Sequence, residues 1–263
     1  MPLAPQVDSR SNGLGVSASF DALIRDPDSE VVGGFGGGSF RARIAIPHYA
    51  RRIERQYRHI LPDGLLAACR RADIDQPLSH FGLVMSFAAE TEIALHDGDM
   101  VLESSIRDWV GRFGVVIMRR AHIAGAARER FHRNIFPHLR FHIDRGPGMA
   151  DQYSCFTRDP SDPVQRMPRD SSTLFIAPIV AWLDMVDRGV CTPDAESGIR
   201  PSYDLFPGER MAALFDEIVL EQPWTEAEGM GEIAVIDNRT VLHATYHKDG
   251  ATPGYPIGTR YLF

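Results

Sequence analysis

The sequence predicts a mainly β protein with flanking helices, of the β-sandwich or jelly-roll class. Short runs of strand character are spread over the C-terminal half, at Val115–Met118, Gln152–Arg158, Ser172–Ala177, Gly231–Ile236 and Tyr255–Phe263. Segments with helical spacing of apolar residues lie before and between them. The 263 residues are 44% hydrophobic, enough to bury the core of one large domain, and neither a composition shift nor an internal repeat marks a boundary. A single domain over 1–263 is the expectation.

Taken in order, residues 1–40 are expected to be loop-rich, with Pro2, Pro5 and Pro27 among Ser, Gly and Asp. The run Gly33-Gly34-Phe35-Gly36-Gly37-Gly38 lacks the Lys-Ser/Thr or the Gly-x-Gly-x-x-Gly context of a phosphate-cradling loop. It reads as a flexible loop or lid hinge, since glycine samples positive φ freely. His48 to Arg71 reads as helix, with Ile53, Tyr57, Ile60 and Leu61 on one face and Arg51, Arg52, Arg55 and Arg58 on a solvated one. Pro62-Asp63-Gly64 is a point at which it breaks. Asp99 to Val110 predicts a second helix, and Gly111–Gly114 a turn into the buried strand Val115–Met118. Ala124 to Phe136 has helix-like composition, and a strand carrying His142 and Asp144 follows. Beyond Arg158 come polar loops, one holding Arg166, Pro168 and Arg169, and then the strand Ser172–Ala177. Pro178 to Arg188 predicts a helix with proline in its first turn and Gly189 as its stop. Glu209 to Leu220 predicts another, with Met211, Leu214, Phe215, Ile218 and Val219 in register. The strand opened by Gly231 leads to His243, and residues 255–263 form a terminal strand.

Composition narrows the function. A net charge of -7 runs against the basic footprint of nucleic-acid binding. Cys69, Cys155 and Cys191 are far apart and form no Cys-x-x-Cys pair, so neither a disulfide framework nor a structural zinc site is indicated. No apolar run approaches the roughly 18 residues that span a bilayer, and Met1–Gln6 lacks the basic and apolar regions of a secretory signal. The expectation is a soluble cytoplasmic protein with a small-molecule substrate and neither nucleic acid nor membrane as partner. Oligomeric state is not indicated.

One pattern carries chemistry. His142-Ile143-Asp144 puts an imidazole and a carboxylate two positions apart, on one face of a strand. A second imidazole, His243, follows the apolar run Ile233–Ile236. Two histidines and one carboxylate with open positions opposite form the facial arrangement of non-haem Fe(II) oxygenases. The His-x-Asp pattern alone is weak. A pair of His138 and His142 would need a helix that Pro137 opposes, and His247 lacks the strand context of His243. His122 and His132 read as ordinary packed or exposed histidines.

His142-x-Asp144, the run Cys155-Phe156-Thr157-Arg158-Asp159, the segment Ser172-Thr173-Leu174-Phe175 and the stretch Asp237-Asn238-Arg239-Thr240-Val241-Leu242-His243-Ala244 resemble the taurine dioxygenase and clavaminate synthase-like superfamily of Fe(II)- and 2-oxoglutarate-dependent oxygenases. The resemblance covers residues 115–263, and its most specific piece is Asp237-Asn238-Arg239, whose neighbours match as well as the histidine. It implies a double-stranded β-helix (jelly-roll) core with Fe(II) bound by His142, Asp144 and His243, leaving positions for 2-oxoglutarate and O2. It implies that Thr173 hydrogen-bonds a carboxylate of the cosubstrate. Arg260 would pair with the distal carboxylate, which the planar fork of a guanidinium suits. The implied reaction decarboxylates 2-oxoglutarate to succinate and CO2 while a C–H bond is hydroxylated. Halogenating relatives have a small residue in place of the carboxylate, so an intact Asp144 fits hydroxylation or a related oxidation such as desaturation.

For the substrate, Arg145, Arg158, Arg166 and Arg169 cluster in sequence after the His-x-Asp pair, and an inward-facing member would hold a carboxylate, sulfonate or phosphate. Arg158, Arg166 and Tyr153 are the candidate substrate contacts, with Phe141 beside the site, and a small anionic, amino-acid-derived metabolite is the preferred substrate. Two other readings compete. One is a metal-dependent jelly-roll dioxygenase or isomerase that does not use 2-oxoglutarate. The other is a non-catalytic, small-molecule-binding β-sandwich in which the triad never assembles.

Overall fold

Chain order is α1 (Asp21–Arg25), β1 (Val31–Phe35), β2 (Gly38–Ile46), β3 (Phe81–Ala94), α2 (Met100–Phe113), β4 (Val115–Ala124), β5 (His132–Arg133), β6 (Leu139–His142), β7 (Tyr153–Arg158), β8 (Ser172–Pro178), β9 (Leu220–Pro223), β10 (Glu232–Asp237), β11 (Val241–His247) and β12 (Gly258–Leu262). The structure, a computed structural model, describes residues 20–49, 51–52, 78–94, 100–124, 132–133, 139–142, 153–158, 172–178, 220–223, 226, 230–238, 240–247 and 258–262. These residues are mainly β. Eight strands pair in the order β1-β2-β3-β4-β10-β7-β12-β5 and four in the order β6-β11-β8-β9.

The glycine run is a hairpin, not a hinge. Gly33 and Gly34 belong to β1, Gly38 opens β2, and Phe35 pairs with Gly38 across the two-residue turn Gly36-Gly37. Both turn residues have positive φ, +57° and +81°, the combination that matches a tight turn to the twist of its strands. The expected loop-rich character of 1–40 is therefore corrected for 20–40, which hold α1, β1 and the start of β2; residues 1–19 lie outside the described residues. Along β2 the residues alternate: Phe40, Ala42, Ile44 and Ile46 are buried while Arg41 and Arg43 are exposed.

β3 and β4 pair in parallel, and α2 is the crossover helix such a pair requires. Ile106, Trp109, Val110 and Phe113 fall at helical spacing and are all buried, each contributing about 1.5–3 kcal/mol relative to exposure. Trp109 meets Phe20 and Phe35 edge-on, with ring centroids 5.1 and 4.9 Å apart, which ties α2 to the hairpin. The expected turn at residues 111–113 is the last turn of this helix instead. It stops at Gly114, whose φ of +76° suits the residue after a helix and whose N–H donates to the Val110 carbonyl at 2.7 Å.

Val115–Met118 and the whole of β10 are buried on both faces. Val116, Met118, Ile233, Val235, Tyr153 and Cys155 form one core with α1 and α2. The alternate positions, among them Val115, Ile117, Ala234, Ile236 and Phe156, face the four-stranded sheet, where the Phe156 ring touches His243 of β11. This double burial explains why these strands read as continuous apolar runs. From β5 onward the chain passes back and forth between the sheets, staying in the smaller one only from β8 to β9, with β5, β7, β10 and β12 in the larger and β6, β8, β9 and β11 in the smaller. Every pairing among these eight strands is antiparallel.

Other expectations shift locally. His132 and Arg133 are strand, not helix, because they pair with the start of β12. Pro178 ends β8 rather than opening a helix, and Leu220 opens β9 rather than ending one. Tyr49, Arg51 and Arg52 are helical, in keeping with a helix from His48, while 53–71, 179–188 and 209–219 lie outside the described residues. No helix among the described residues is long and apolar enough to cross a membrane.

Candidate functional site

The site begins with a short turn. β10 ends at Asp237 and β11 starts at Val241. The turn is fixed at three points: Asp237 N–H donates to the Gly114 carbonyl at 3.1 Å, Thr240 N–H donates to the Asp237 carbonyl at 3.1 Å, and Asn238 Nδ2 donates to Ser154 Oγ on β7 at 2.8 Å. Asp237 and Asn238 are themselves buried. The segment singled out in the sequence thus pins the larger sheet to the first residues of β11, where His243 stands.

His243 is 1% exposed, and its ring lies 4.9 Å from the Phe156 ring at an interplanar angle of 61°. In the ladder it pairs with His142 of β6 on one side and Ile176 of β8 on the other. Directly opposed residues of an antiparallel pair share a face, with Cα atoms about 4.5–5.5 Å apart. Positions 142 and 243 therefore share the face turned to the larger sheet. The register sets positions 142 and 243 opposite one another, and Asp144 lies outside the described residues. Among the described residues no group of three or more His, Cys, Asp or Glu is disposed to hold a metal.

Thr173 pairs with Tyr246 and Pro223, three positions along the ladder from the His243–Ile176 pair, an odd offset that assigns the position to the other face. Arg260 pairs with Cys155, which belongs to the helix-side core, whereas Thr259 pairs with Phe156. Tyr153 is corrected: it is buried in the helix-side core with the Arg107 guanidinium 5.9 Å over its ring, on the opposite face of β7 from Phe156. It fills core and does not border His243. Arg158, two residues beyond Phe156, occupies a position on Phe156's face. Phe141 is fully buried, and Arg166 lies outside the described residues. His122 is partly buried and hydrogen-bonds Glu90 through Nδ1 at 2.8 Å, an ordinary packed role.

No protein-family model and no curated protein matches the chain. Among solved structures it is similar to AAD-2 in complex with Mn(II) and N-oxalylglycine, at 11% identity over 71% of this chain and 95% of that one, with a TM-score of 0.42. It is also similar to PvcB, an Fe, alpha-ketoglutarate dependent oxygenase from an isonitrile synthetic pathway (14% identity, 72% and 87% covered, TM-score 0.40). A third is a taurine dioxygenase from Burkholderia xenovorans (13% identity, 70% and 87% covered, TM-score 0.37).

Sequence reasoning passed over Glu232 and Arg119. Glu232 is fully buried, and its Oε2 accepts the Glu226 N–H at 3.2 Å. The available signal was a charged residue at each end of an apolar run, Met118-Arg119 and Glu232-Ile233, where period two assigns it to a buried face.

Proposed function

We propose that this chain is an Fe(II)- and 2-oxoglutarate-dependent oxygenase that hydroxylates a small metabolite, with His142, Asp144 and His243 as the iron ligands. The pairing of His142 with His243 on the inner face of the smaller sheet carries the reading. The antiparallel pairing of β5–β12 and their division between two facing sheets support a double-stranded β-helix around it. Two imidazoles and a carboxylate are a donor set suited to a divalent first-row metal. When bound, iron supplies the oxidising centre for decarboxylation of 2-oxoglutarate and hydroxylation of a C–H bond.

The chain's part is positioning. Phe156 covers one side of the His243 ring and keeps water from it, and the anchored turn at Asp237-Asn238 sets where β11 starts. Thr173 and Arg260 enter as cosubstrate contacts on the resemblance, and a small anionic substrate is part of the same reading.

A jelly-roll metalloenzyme that does not use 2-oxoglutarate is the second reading. The observation favouring it is that Thr173 falls out of phase with His243 along β8 and β11, and Arg260 out of phase with Phe156 along β7 and β12. One experiment separates the readings. Anaerobically prepared protein is analysed for iron, given 2-oxoglutarate, and followed for the absorbance of the complex and, in air, for succinate. Iron binding lost in His142→Ala together with succinate release supports the proposal. Iron binding without succinate supports the second reading, and metal content unchanged in His142→Ala overturns both.

A further inference from the structure

One row on the inner face of the larger sheet is charged. Glu232 of β10 pairs with Arg119 of β4 on one side and with Arg158 of β7 on the other. These positions share the face of Ile117, Ala234 and Phe156, each two residues along its strand. Glu232 is fully buried. Glu226 closes the row's end, donating its N–H to Glu232 at 3.2 Å and pairing its carboxylate with Arg120 Nε at 3.2 Å. Arg119 is half-buried, and its Nε is shielded from solvent with no hydrogen-bond partner among the described residues. The row holds two guanidinium positions and one carboxylate, so one positive charge is left over. A buried cationic donor without an acceptor is costly, and an anion beside it removes that cost.

The row is close to His243. Arg158 stands two residues, about 7 Å, along β7 from Phe156, whose ring touches the imidazole. Arg119 lies two strands across from Arg158, about 10 Å, and so about 12 Å from Phe156, on a side chain long enough to cover much of that gap.

We propose that Arg119, in its row with Glu232 and Arg158, is the cation of a carboxylate subsite in the space between the sheets. It takes one carboxylate of a short aliphatic acid whose other end lies toward His243. Glu232 holds one guanidinium in place, and the second charge faces the ligand. That this acid is the substrate or the cosubstrate of an iron enzyme rests on the function proposed above; the subsite itself does not.

The test titrates glutarate, which lacks the metal-chelating keto acid group, into the full-length protein by calorimetry. 2-Oxoglutarate and 2-oxobutyrate are titrated into the iron-loaded protein without oxygen. The wild type is expected to bind glutarate, and Arg119→Gln to weaken it about tenfold or more. Arg119→Lys should keep part of the affinity, and Glu232→Gln, which removes the competing carboxylate, should raise it. If Arg119→Gln also weakens 2-oxoglutarate but not 2-oxobutyrate, the carboxylate is the cosubstrate's. If 2-oxoglutarate is unaffected while glutarate is lost, the carboxylate is a substrate's. No glutarate binding by the wild type, or equal binding by Arg119→Gln, overturns the subsite. Should Arg119→Gln not fold, Glu232→Gln decides: unchanged or weaker glutarate binding overturns it. Succinate release is measured separately, so failure of the subsite and failure of the oxygenase reading give different results.

Discussion

The Phe156 ring on β7 meets the His243 imidazole on β11 edge-on at 4.9 Å, and the contact crosses from one sheet to the other. A fully buried imidazole held by an aromatic edge has little freedom to turn, which suits a ligand that must keep one orientation. Phe156→Ala should cost about 3–5 kcal/mol, the usual range for emptying a buried aromatic site. Phe156→Leu keeps most of the volume and removes the ring edge. It is expected to fold and to bind iron several-fold more weakly, measured by competition with a chelator. Iron affinity equal to wild type in Phe156→Leu would show that the ring does not orient the ligand.

How much of this was legible in the sequence depends on how far each contact reaches. Val115–Met118 and Ile233–Ile236 announce themselves because both faces are buried, so no polar residue interrupts them. β2 and β3 do not. Phe40, Ala42, Ile44 and Ile46 alternate properly, but the glycines before them look like loop, and Ala88-Ala89-Glu90-Thr91-Glu92 in β3 has helix-like composition. What makes it a strand is parallel pairing with β4, a contact invisible to local periodicity. The same limit applies at the site. His142, Asp144 and His243 stand out in the sequence as candidate donors, and Asp237-Asn238 as a motif. The anchoring of Asn238 to Ser154 and the row of Arg119 with Glu232 join distant parts of the chain, and only the ladder register reveals them.

Asn238 Nδ2 donates to Ser154 Oγ at 2.8 Å in a buried setting. Each change removes a buried hydrogen bond, and Ser154→Ala also takes the acceptor from the Asn238 amide, so Asn238→Ala and Ser154→Ala should each lower stability by about 1–3 kcal/mol. The double variant should cost less than the sum, with a coupling of about 0.5–3 kcal/mol in denaturant unfolding. Fully additive losses would mean that the bond does not anchor the turn before His243.

Arg260 sets the resemblance against the register. As the contact for the distal carboxylate, its change to Ala should weaken 2-oxoglutarate at least about tenfold and leave iron content unchanged. The pairing with Cys155 assigns the position to the helix side of the sheet, where the same change would instead lower the melting temperature and spare cosubstrate affinity. Calorimetry with 2-oxoglutarate beside a thermal melt reads both. The proposal expects the first result, and the second would withdraw Arg260 from the cosubstrate site.

His80 couples the N-terminal elements to pH. Its Nδ1 accepts the His48 N–H at 3.1 Å, and its Nε2 lies 3.3 Å from the Ile24 carbonyl. With Nδ1 as acceptor, Nε2 carries the proton and donates to that carbonyl, so the neutral ring serves both partners. Burial is the main cause that holds its pKa below the usual 6.5, with His48 and Arg51 adding to it and the Ile24 bond opposing it. The folded state therefore binds this proton less readily than the unfolded chain does. Above pH 6.5 both states are neutral and the contribution is intact. As pH falls from there through the lower folded value, the unfolded state takes up the proton first and stability declines. The melting temperature of the wild type should drop between pH 7.5 and the acid side of this window. His80→Gln, which carries no titrating group, should lose stability at neutral pH and show a flatter profile. An identical slope in the two proteins would mean that His80 does not set the acid sensitivity.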